Sequence, residues 1–95
     1  MAGTSAATKA AAKVVTPWGR AELVDELTVR QQAGEQRFAS VVQLLETARG
    51  ERLVRFAYST DGIARRGPVT LRERDVARMR TLLDKHPDIG AALGL

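Results

Sequence analysis

The chain has 95 residues, with 15 Lys or Arg against 11 Asp or Glu, one His and no Cys. That length suits one small domain, and the lack of cysteine excludes a disulfide framework, a thiolate nucleophile and any Cys-bearing zinc site. With a single His and no motif placing a Ser or a carboxylate pair beside it, acid-base and nucleophilic chemistry have few parts to work with, so a non-enzymatic protein without cofactor is expected.

The net charge of +4 is unevenly spread. Up to residue 48 cations and carboxylates balance, whereas residues 49–80 hold nine arginines against four carboxylates. Arginine at this density suits forked hydrogen bonding to phosphate; an arginine bias in composition is the bland alternative.

Residues 1–15 are Ala, Thr and Lys with almost no bulky side chains before Val14, which predicts a disordered tail ahead of a single α+β domain over 16–95. No stretch is apolar enough to span a bilayer or act as a signal peptide, so a soluble, cytoplasmic protein is expected, with no membrane partner. Thr16-Pro17-Trp18-Gly19 reads as a helix start. Leu23, Val24 and Leu27 fit a short helix over 20–29, while Ala21, Leu23, Leu27 and Val29 fit a strand face with Asp25 as the misfit; the reading leans to helix. Residues 31–35 read as a polar connection.

Residues 36–49 are ambiguous. Phe38, Val41, Val42, Leu44, Leu45 and Ala48 gather on one side at helical spacing, and strict alternation fails at Val41-Val42 and Leu44-Leu45, which slightly favours a helix. The β formers there, followed by Ala48-Arg49-Gly50 as a three-residue hairpin loop, argue for a strand.

The segment 52–60 alternates, and Asp61-Gly62 supplies the positive φ angles of a two-residue type I′ turn, which predicts a hairpin of arms 52–60 and 63–71. In that register Val54, Phe56 and Tyr58 face the core, Tyr58 meets Arg65 as a cation-π pair, Phe56 meets Gly67, and Arg55 and Arg66 are diagonal neighbours on the reverse face. Two like charges that close repel unless an anion lies over them. Pro68 places the second arm at a sheet edge or at a bend.

Thr70-Leu71-Arg72-Glu73 matches a capping box, so a helix is predicted over 71–86, ending before Pro87. Its stripe of Val76, Met79, Leu82 and Leu83 is a candidate dimer interface. His86 lacks companion ligands for a metal, and residues 88–95 form a short apolar end. The fold class is therefore α+β: a small antiparallel sheet built around the hairpin and packed by a C-terminal helix.

Arg55 to Tyr58, Asp61-Gly62, Arg65-Arg66-Gly67, Val69-Thr70-Leu71 and the 76–83 stripe together resemble the single-stranded-DNA-binding domain of the positive-cofactor-four type of transcriptional coactivator. The resemblance covers about half the chain in pattern, implies a curved antiparallel sheet before a dimerising helix, and requires a strand over 37–47. That family is similar to other single-strand binders in using exposed aromatic platforms. Phosphate contacts are expected from Arg55 and Arg66, supported by Arg49, Arg52, Arg65 and Arg74, with single-stranded or duplex nucleic acid as partner. A protein-interaction or homodimerisation module without nucleic acid is the alternative; no small-molecule substrate is evident.

Overall fold

The structure, a computed structural model, describes residues 13–95. Five strands form one antiparallel sheet in sequence order: β1 (Lys13–Thr16), β2 (Gly19–Ala33), β3 (Gln36–Thr47), β4 (Arg52–Thr60) and β5 (Ile63–Arg65). Two helices, α1 (Glu73–Leu83) and α2 (Pro87–Ala92), pack on one face of it. The α+β class is as expected. The predicted tail falls on residues 1–12, outside the described residues, and on 13–15, which are strand instead.

The first turn is a β-turn and starts no helix. Thr16 Oγ1 accepts from the Trp18 N–H at 3.1 Å and donates to the Gly19 carbonyl at 2.7 Å, and Thr16 pairs with Gly19. Residues 20–29 are likewise strand. Ala21, Leu23, Leu27, Val29 and Gln31 are buried but do not share the one face expected: a β-bulge between Leu23 and Asp25 leaves Ala21 and Leu23 on the face away from the helices and Leu27, Val29 and Gln31 on the helix-packed face. Two residues of β2 here oppose one of β3, so Val24 packs on the helix side and the strand changes phase. The predicted polar connection shrinks to Gly34-Glu35, because Ala33 already pairs with Gln36.

Residues 36–47 form a strand, against the helical periodicity. Adjacent apolar residues are accommodated because both faces of the sheet are covered at that point. Leu44 lies with Leu27, Val42, Leu83 and Ile89 beneath the helices, and Leu45 lies with Ala21 and Leu23 on the reverse face, with Val14 and Leu53 packed against them. The Ala48-Arg49-Gly50 loop is closed by the Thr47 N–H donating to the Glu51 carbonyl at 2.9 Å.

The Asp61-Gly62 turn has φ of 52° and 76°, the type I′ pattern, and Tyr58 pairs with Arg65 as the register predicts. The second arm, however, ends at Arg65. Gly67 takes φ 125° and Pro68 has no N–H to offer a ladder, so the chain leaves the sheet. It crosses the helix-side face to β2, where the Thr70 carbonyl accepts from Gln31 Nε2 at 3.1 Å. The predicted pairings of Phe56, Arg55 and Val54 with residues 67–69 therefore do not form. Val54 packs against the core as expected, Phe56 is 48% exposed, and Gly67 lies beside the Tyr58 ring instead.

The predicted helix is shorter and is followed by a second. Its N-cap is Arg72, whose N–H donates to Asp75 Oδ2 at 3.2 Å, so Asp75 performs the reach-back assigned to Glu73. The helix stops at Leu83, and the apolar end docks as α2 with Ile89 fully buried.

Candidate nucleic-acid interface

β4 determines where the arginines go. Beyond the β2 bulge, the sheet face away from the helices carries Glu26, Thr28 and Arg30 from β2, Arg37, Ala39, Val41 and Gln43 from β3, and Arg55, Ala57 and Ser59 from β4. On this face a side-chain ladder crosses three strands. Arg55 Nε donates to Gln43 Oε1 at 2.9 Å, and Gln43 Nε2 donates to Glu26 Oε2 at 2.7 Å. One end of the Gln43 amide thus fixes the carboxylate and the other orients the guanidinium, leaving both terminal nitrogens of Arg55 for another acceptor. Arg55 is held by a neutral group.

At the edge of β4, Arg55 and Gln43 from the face away from the helices and Arg65 and Phe56 from the helix-side face line one groove of about 540 Å³, together with Ala57 and Gly67. Arg65 Nε donates to the Thr60 hydroxyl, two residues from Tyr58 on the same strand. Arg66 follows β5 and is exposed; its carbonyl accepts from Tyr58 Oη at 3.0 Å. Among the described residues, no carboxylate lies within ion-pair distance of Arg55, Arg65 or Arg66.

The other predicted contacts lie apart. Arg52 pairs with Glu46 at 3.5 Å, on the helix-side face. Arg49 is exposed in the β3–β4 loop, about 20 Å along β4 from Arg65. Arg74 is exposed on α1, across the sheet from Arg55. The predicted interface stripe is largely internal: Leu83 is buried in the core, Met79 and Leu82 pack against it, and only Val76 is exposed.

Sequence reasoning missed Arg30, Arg37 and Gln43. Reading 36–47 with a period of two would have aligned Arg37, Ala39, Val41 and Gln43 on Arg55's face. It also missed the exposure of Phe56, which depends on where β5 ends. Trp18 is 64% exposed, but it stands in the β1–β2 turn at the opposite edge of the sheet.

A buried polar network fixes the helices over this scaffold. Ser40 Oγ donates to Gln31 Oε1, and Gln31 Nε2 donates to Asp75 Oδ2 at 3.1 Å. Burial disfavours the Asp75 carboxylate, but bonds from Gln31 and from the Arg72 N–H and guanidinium outweigh it and hold its pKa below the usual carboxylate value.

Among the described residues no helix is long and apolar enough to cross a membrane, and no three His, Cys, Asp or Glu side chains gather as a metal set. The chain matches no protein-family model, no curated protein and no solved structure.

Proposed function

We propose that this protein is a non-enzymatic nucleic-acid-binding module whose phosphate contacts come from Arg55, Arg65 and Arg66, with Arg30 and Arg37 extending the basic surface. The reading rests on one observation: Arg55 is oriented by an uncharged amide and no carboxylate neutralises it. A guanidinium answered by Asp or Glu has little left for a phosphate, whereas one positioned by Gln43 keeps its charge and its forked donors. The strand at β3, which the resemblance to the coactivator domain requires, supports the same reading.

Anisotropy titration of labelled single-stranded and duplex oligonucleotides at low salt tests it. Three phosphate contacts give a slope of log affinity against log salt of about −2 for a single strand. The Arg55→Ala, Arg66→Ala double variant flattens that slope and weakens binding. Absence of binding at tens of micromolar protein rejects the function, and unchanged affinity in the double variant rejects the residue assignment.

A further inference from the structure

β4 has one edge in use and one half open. Its inner edge pairs with β3 along nearly its whole length, whereas β5 covers the outer edge only from Tyr58 to Thr60. Thr60 and Ile63 flank a two-residue turn and so form a hydrogen-bonded pair. Stepping back by two along β4, the N–H and C=O groups of Phe56, Val54 and Arg52 therefore point outward. The chain after Arg65 crosses the face of the sheet instead of shielding these groups, and no backbone group among the described residues bonds to them. Phe56, half exposed, stands on this edge.

We infer that this edge pairs with the same edge of a second copy of the chain, antiparallel about a two-fold axis at Val54, to make one sheet of ten strands. The occupant follows from the side chains. Outward-pointing residues must pair with one another, so the two-fold axis falls at an even-numbered sum of paired positions. Centring on Arg55 sets two guanidinium groups directly opposite, which is repulsive. Centring on Leu53 leaves Phe56 outside the ladder. Centring on Val54 pairs Val54 with itself, Leu53 with the second copy's Arg55, and Arg52 with the second copy's Phe56, a cation over an aromatic ring. Just beyond the ladder, Glu51 of each copy reaches the end of β5 of the other, where Arg65 and Arg66 stand. The edge is self-complementary in this register except at Arg55, whose two copies become diagonal neighbours.

The pairing also gives the proposed phosphate surface a centre. On the face away from the helices the two Arg55 residues become diagonal neighbours across the seam, roughly 7–8 Å apart. That consequence rests on the nucleic-acid reading; the dimer itself does not.

The test uses protein alone. Sedimentation from about 1 μM to about 1 mM takes the mean mass of the native chain from one copy toward two, and the amides of Val54 and Phe56 gain protection from hydrogen exchange as concentration rises. The protein has no cysteine, so oxidising an equal mixture of the single variants Leu53→Cys and Arg55→Cys gives a disulfide-linked heterodimer, the Cα separation of about 4.5 Å in that pair being suited to the bond. Each variant alone stays largely uncrosslinked. A single-copy mass over the whole range, or Val54 and Phe56 amides that exchange equally fast at every concentration, overturns the inference. A dimer whose mixed variants crosslink no more than the separate ones overturns the register. Oligonucleotide binding can fail without touching any of these outcomes.

Discussion

His86 Nδ1 lies 2.9 Å from Asp25 Oδ2, joining the corner between the two helices to the bulge in the longest strand. Asp25 is a carboxylate on the helix-packed face of a strand, tolerable there because the bulge brings it to the one histidine of the chain. Its other oxygen accepts the Glu26 N–H at 2.8 Å. A double-mutant cycle with Asp25→Ala and His86→Ala, followed by urea unfolding, is expected to give a coupling of about 0.5–1.5 kcal/mol. Strictly additive single effects refute the pairing as a stabilising contact.

Asp75 makes stability depend on acid. Its folded-state pKa is depressed, so its contribution is fully present above the unfolded carboxylate value of about 3.9 and is lost as pH falls through the lower folded value. The native protein therefore loses stability on acidification below about pH 4, and Asp75→Asn, less stable at neutral pH, follows a shallower acid profile. Parallel profiles for the two proteins, read as urea midpoints between neutral and strongly acidic pH, contradict the assignment.

Which parts of this fold could be read from the sequence depends on how local their causes are. The Asp61-Gly62 reversal was legible because positive φ at two successive residues is a property of those residues alone. The strands at β2 and β3 were obscured for a non-local reason. A half-buried strand alternates, but β3 is covered on both faces where Leu44 and Leu45 sit, and β2 changes phase at its bulge; neither fact exists until the strands are paired. The end of the second hairpin arm was signalled locally by Gly67 and Pro68, but where the chain goes next was hidden, because the Thr70 carbonyl is held by Gln31, 39 positions earlier. At the candidate site the arginines of β4 and β5 were legible as residues, whereas the Gln43 that orients Arg55 comes from the neighbouring strand.

Leu44→Ala and Leu45→Ala test whether the sheet is covered on both faces at β3. The two side chains point to opposite faces, and each is almost wholly buried, at 0% and 1% exposure. Both truncations are expected to cost about 2–5 kcal/mol, since each leaves a cavity. Their effects combine nearly additively, because they belong to separate clusters. Urea unfolding in which only one of the pair is destabilising contradicts a sheet covered on both sides there.

The ladder from Glu26 through Gln43 to Arg55 distinguishes an oriented arginine from a merely present one. Gln43→Met keeps the shape and every charge but removes the acceptor that fixes Arg55 Nε and the donor that occupies Glu26. Freed from Gln43, Glu26 competes for the guanidinium, so affinity for a labelled single strand should fall about 3- to 10-fold. Glu26→Gln removes that competitor together with a negative charge from the face, and affinity should rise by a similar factor at low salt and return toward the native value as salt is raised. Opposite shifts from two uncharged replacements on one ladder do not arise from general damage to the sheet, which lowers affinity in both. If both variants bind as the native protein does, Arg55 is not positioned through Gln43, and the basic surface acts by charge density alone.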